Sequence, residues 1–113
     1  MHELALTEAI IKIINSQREK EGFSRVEEIR LRVGEYSGII PDCLRDCFPI
    51  AAKGTAAEGA SLVVETVPAS FRCLGCGYAG PIARRSARCP DCGGEDLRMT
   101  AGREFYVDSL KVE

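Results

Sequence analysis

Four of the six cysteines fall as two C-x-x-C pairs, Cys73 with Cys76 and Cys89 with Cys92, in the stretches F-R-C-L-G-C-G and R-C-P-D-C-G-G. Thiolates are soft metal donors. Two such pairs, folded back on one another, supply the four ligands of a tetrahedral zinc site. Gly75, Gly77, Gly93 and Gly94 permit tight turns that aim backbone N–H groups at the sulfurs. The alternative use of the same residues is a pair of disulfides. A zinc ion held by four thiolates has no open coordination position, so its expected role is structural.

The first three residues offer a second chemistry. In Met1-His2-Glu3 the α-amine of Met1 and the backbone nitrogen of His2 can close a five-membered chelate ring. The same backbone nitrogen and His2 Nδ1 close a six-membered one, and the Glu3 amide can add a fourth nitrogen. Planar nitrogen sets suit Ni(II) or Cu(II) and do not suit tetrahedral zinc. Taken by itself the start is also that of an ordinary solvated terminus. His2 is the only histidine in the chain, so any imidazole ligand must come from it. Cys43 and Cys47 are spaced i, i+4, which allows a metal or redox pair, but small buried thiols on a packed helix face are the simpler expectation.

The elements that must position these groups can be read from periodicity. Residues 4–21 are helical, with Leu6, Ile10, Ile13 and Ile14 as the apolar face and Gly22 as the C-cap. Residues 26–34 alternate with period two: Ile29, Leu31 and Val33 point one way, Glu28, Arg30 and Arg32 the other. Pro41 opens a second helix carrying Leu44, Phe48, Ala51 and Ala52 to about Lys53, and Pro49 is expected to kink it or split it in two. Residues 61–67 form a second strand and residues 103–113 a third, with a bulge near Asp108-Ser109 where the apolar parity shifts. The expected fold is α/β in the α+β sense: a small three-stranded sheet with two helices on one face, plus an inserted zinc-ribbon-like four-cysteine module. The expected domains are residues 1–70 with 98–113, and a zinc-binding domain over 71–97.

Composition narrows the function classes. A net charge of −2 argues against general nucleic-acid or membrane-surface binding, although residues 71–103 carry a small basic excess. No apolar run approaches the ~20 residues that span a bilayer. The start lacks the basic region and cleavage site of a secretory signal. Six cysteines without one point to a reducing, cytoplasmic setting.

Taken together, M-H-E before an amphipathic helix, V-G-E-Y-S-G-I-I-P-D, K-G-T-A-A-E-G-A-S-L, the two C-x-x-C pairs and the terminal S-L-K-V-E resemble the HypA/HybF family of hydrogenase-maturation nickel metallochaperones across essentially the whole chain. The resemblance implies a nickel domain and a zinc domain. It makes Met1, His2 and Glu3 the nickel site and Cys73, Cys76, Cys89 and Cys92 the structural zinc site. It further implies delivery of Ni(II) to the [NiFe]-hydrogenase large subunit beside a HypB-type GTPase, with the chain a monomer or weak homodimer. Cys43, Cys47 and Pro49 depart from what the family leads one to expect.

Three rival functions are weaker. A zinc-ribbon adaptor for nucleic acid or protein would use Arg72, Arg84, Arg85, Arg88, Arg98 and Arg103, but Phe71 and Tyr78 are the only aromatics in the zinc segment. A dithiol oxidoreductase needs one thiol activated at a helix N-terminus, which glycine-rich turns do not supply. A hydrolase lacks a nucleophile motif beside its single histidine. The expected protein is therefore a metal carrier and not an enzyme.

Overall fold

The computed structural model describes residues 2–83 and 85–113, with His2 described by its backbone alone. Eight elements follow in order: helix α1 (His2–Glu21), strand β1 (Val26–Gly34), helix α2 (Pro41–Ala52), and strands β2 (Ser61–Val67), β3 (Ser70–Cys73), β4 (Ala79–Gly80), β5 (Leu97–Ala101) and β6 (Phe105–Val112). They form two three-stranded sheets, β2-β1-β6 and β4-β3-β5. The fold is α+β, and the second sheet is the part that periodicity does not reveal. Its strands run four, two and five residues, too short to display a period.

Two compact units divide the chain. The first comprises Met1–Arg32, Ile39–Glu65 and Tyr106–Glu113, the second Val33–Gly38 and Thr66–Phe105. The second unit is thus wider than residues 71–97 and takes in the turn after β1.

In the first unit α1 packs against α2. Ile10, Ile14, Ile29, Leu31 and Leu44 are each 1% exposed or less, and burying a side chain of that size contributes about 1.5–3 kcal/mol. The buried face of α1 is Glu3, Thr7, Ile10, Ile11 and Ile14, while Ile13 is 46% exposed. The stripe is therefore rotated from Leu6-Ile10-Ile13-Ile14, because two polar residues occupy inward positions. Thr7 is tolerated there by donating its hydroxyl to the Leu4 carbonyl at 2.7 Å.

The alternation of β1 is as expected, with Ile29, Leu31 and Val33 buried. On its outer face Arg30 pairs with Glu28 and Glu65, and Arg32 with Glu65 and Asp108. Such exposed pairs contribute little each and mainly mark which side meets water. Before β2 begins, Val26 N–H bonds Ala56 O, and beyond the end of β1 Glu35 N–H bonds Val67 O, so β1 and β2 run parallel around the α2 crossover. Ser24 N–H bonds Glu113 O and Gly34 N–H bonds Glu104 O, so β6 runs antiparallel, and the sheet is mixed.

Helix α2 excludes one of the two expectations for Pro49. It continues from Pro41 to Ala52 as one element with Pro49 inside it, so the proline does not split it. Its buried residues are Leu44, Phe48 and Ala52. Cys43 and Cys47 are only half-buried, bordering the packed face instead of filling it.

Candidate metal centres

The second unit builds its metal centre from two turns with the same hydrogen bonding. Cys73 N–H bonds Tyr78 O and Gly77 N–H bonds Cys73 O; Cys89 N–H bonds Gly94 O and Gly93 N–H bonds Cys89 O. Each C-x-x-C pair is therefore a knuckle closed by bonds from the first cysteine to the residue five on, and back from the residue four on. The reversal needs a left-handed residue, and Gly77 (φ 84°) and Gly93 (φ 73°) supply it. The first knuckle follows β3 directly, and Leu74 N–H reaches Asp96 O just ahead of β5. The second is braced by Arg88, which donates to Gly93 O at 3.3 Å and pairs with Glu95 at 2.9 Å.

The four sulfurs lie within 4.8 Å of one another. Cys73 and Cys92 are separated by 3.7 Å and Cys76 and Cys89 by 3.5 Å. A tetrahedral zinc with Zn–S bonds of about 2.3 Å requires S···S distances near 3.8 Å, so the residues present fit the ion. Cys73 and Cys89 are buried and Cys76 and Cys92 exposed, giving a site closed on one side by the protein. The alternative of two disulfides is not what the structure holds, since all six cysteines are free thiols.

The cluster handles charge unevenly before any metal enters. The Cys73 thiol is lowered to about 7, chiefly by the Cys76 backbone N–H, with help from Gly75 N–H and against the cost of burial. At Cys76 the Tyr78 N–H favours the thiolate, but Cys89, burial, Cys73 and Cys92 together push it up to about 12. Four thiols this close resist multiple ionisation, and a dication removes that repulsion.

A largely exposed loop joins the knuckles. Ile82, Ala83 and Ala87 line a recess with Tyr36, Phe71 and Leu97, where the Tyr36 and Phe71 rings meet edge-on at 6.1 Å. Arg85 and Arg88 remain exposed. Across the small sheet, Arg72 stands directly opposite Arg98 on β5 and Ala79 on β4, and both arginines are exposed. That cross-strand pair could not be found without the register.

At the other candidate site, Met1 and the His2 side chain lie outside the described residues, and Arg84 lies outside them too. The backbone of α1 begins at His2, ahead of the expected residue 4, and Glu3 stands in its first turn with 9% exposure. Its burial had no sequence signal beyond its place four residues before Thr7.

A model described as hydrogenase/urease nickel incorporation, metallochaperone, HypA matches residues 1–112. The hydrogenase maturation factor HypA of Dehalococcoides mccartyi is 37% identical over 113 residues, covering 100% of this chain and 95% of that protein. Its counterpart in Methylocella silvestris is 41% identical, with 100% of both covered. Among solved structures, the solution structure of a HypA protein aligns with a TM-score of 0.77 at 20% identity, over 100% of this chain and 97% of that one. The solution structure of the Ni metallochaperone HypA from Helicobacter pylori aligns at 0.71 and 19%, over 97% and 96%. At those identities the structural likeness speaks for the fold.

Proposed function

Because the chain belongs to the HypA family of hydrogenase/urease nickel-incorporation metallochaperones, we propose that it binds Ni(II) through Met1, His2 and Glu3 and delivers it to the large subunit of a [NiFe]-hydrogenase. One observation carries the reading. The family match extends from residue 1, and the chain's only histidine stands at position 2.

The Met1 amine, the His2 backbone nitrogen, the His2 imidazole and the Glu3 amide form the planar donor set that suits Ni(II). The start of α1 favours their use, since the first N–H groups of a helix have no intrahelical acceptor. A nickel ligand taken from these amides therefore costs no helix hydrogen bond. The Glu3 carboxylate, in the first turn of α1, offsets the positive end of the helix dipole beside a cation. Nickel held by a few groups at the end of a chain can be passed on by stepwise ligand exchange with an acceptor site. Delivery occurs in the cytoplasm beside a HypB-type GTPase. The protein performs no catalysis of its own, and the zinc cluster holds its module folded.

The test is a Ni(II) titration of three zinc-loaded proteins: native terminus, one extra residue before Met1, and His2→Ala. Tight binding is expected only in the first, with planar nitrogen-bound nickel appearing yellow and diamagnetic. Equal affinity in the extended protein would remove the amine from the site. Delivery is read separately, by transfer of radioactive nickel from the loaded protein to the hydrogenase large-subunit precursor with the GTPase present. No transfer under those conditions would sink the delivery step while leaving the binding result intact.

A further inference from the structure

Helix α2 carries two thiols that neither the zinc cluster nor the nickel terminus uses. Cys43 and Cys47 occupy successive turns of the helix Pro41–Ala52. Their i, i+4 spacing stacks the side chains on one face with Cβ atoms about 5–6 Å apart. The packed stripe of α2 is Leu44, Phe48 and Ala52, complete without a thiol. Both cysteines are free and half-buried, so they can be reached from solvent while apolar packing backs them. A disulfide is not open to them in the intact helix, because it needs Cβ atoms about 3.5–4.5 Å apart.

The number of donors selects the ligand. Among the described residues, the only convergent group of three or more histidine, cysteine or acidic side chains is Cys73, Cys76, Cys89 and Cys92. Among the described residues, the α2 pair therefore offers two sulfurs with no third histidine, cysteine or carboxylate converging on them. Zinc takes four ligands in structural sites, and Ni(II) prefers planar nitrogen and oxygen sets. Two thiolates without a third suit a soft monovalent ion that accepts two donors in a line, and thiolate donors select Cu(I).

We propose that Cys43 and Cys47 form a two-coordinate thiolate site for Cu(I) on α2, in a different compact unit from the zinc cluster and independent of the nickel reading. Binding breaks two S–H bonds and forms two Cu–S bonds. Two protons pass to solvent, and no electron is transferred. The chain would thereby hold a copper ion on α2 without surrendering the zinc of its other unit.

The test uses the reduced, zinc-loaded full chain, titrated anaerobically with Cu(I) against a coloured Cu(I) chelator while zinc release is followed. One copper per chain should be withheld from the chelator with zinc retained. Cys43→Ser and Cys47→Ser should each weaken retention by at least ~100-fold, because the second donor is lost together with its effective concentration. Should either variant unfold, the intact chain still decides: copper must protect both Cys43 and Cys47 from alkylation, read by peptide mass spectrometry. Undiminished retention in folded serine variants, copper uptake matched by zinc release, or unprotected α2 thiols would overturn the proposal.

Discussion

Ile13 and Ile14 are adjacent and chemically identical, yet Ile14 is 0% exposed and Ile13 46% exposed. Truncating Ile14 to Ala removes buried methyl groups and leaves a cavity, at a cost of about 2–5 kcal/mol. Ile13→Ala should fall within about 0.5 kcal/mol of the parent, as exposed substitutions do. Chemical unfolding of the two variants measures the contrast, and equal destabilisation would refute the orientation given to α1. Counting apolar residues alone places Ile13 on the inner face. The residues that correct it are Glu3 and Thr7, polar side chains in buried positions, which hydropathy assigns to solvent. Along β1 no polar residue interrupts the inward row, and there the sequence reads correctly from Ile29 to Val33.

The zinc knuckles and the close approach of three chain segments are properties of elements. Cys73→Ser or Cys92→Ser should release zinc and disorder residues 71–94 while α1, α2 and β1 stay folded, since metal binding supplies folding free energy on the order of 10 kcal/mol to such a module. Zinc analysis with amide exchange checks this, and full zinc retention in either variant would contradict it. A second prediction concerns Gly34. A Cβ there would lie 2.2 Å from the Gly102 carbonyl carbon and oxygen, and one on Gly102 would lie 2.9 Å from the Ala69 Cα. Main chain meets main chain at this point, so no side chain can yield. Gly34→Ala should cost more than about 3 kcal/mol, at the upper end of overpacking substitutions, and an unchanged melting temperature would refute it. The cysteine spacing made the cluster legible because four ligands must converge whatever surrounds them. The β3–β4–β5 sheet was not legible, because its pairing follows from the knuckles and not from any pattern within the strands. Pro49 does not split α2 because a missing N–H near the end of a twelve-residue helix costs one backbone bond, which packing of Leu44, Phe48 and Ala52 offsets.

At the scale of the whole molecule the charges are unevenly placed. The chain carries −2 overall, yet the second unit exposes Arg72, Arg85, Arg88 and Arg98. They are not equivalent. Arg88 is engaged with Glu95 and Gly93, so reversing its charge would disturb the second knuckle along with any docking. Arg72 and Arg98 face each other across β3 and β5, where like charges repel and an acidic partner surface would relieve them. Arg85 is exposed on the loop that joins the two knuckles. An informative variant set is therefore Arg85→Glu alone and Arg72→Glu with Arg98→Glu, leaving Arg88 in place. If this surface meets an acidic surface on a partner protein, both variants should weaken the complex, chiefly through association rate and most at low salt. Nickel affinity and zinc content should not change. Unaltered binding in both would mean that these arginines are merely solvated. A salt-dependent affinity of the parent chain for random DNA, abolished by the same substitutions, would instead point to the nucleic-acid adaptor. Measuring the two titrations on one set of proteins separates a docking surface for protein from one for phosphate.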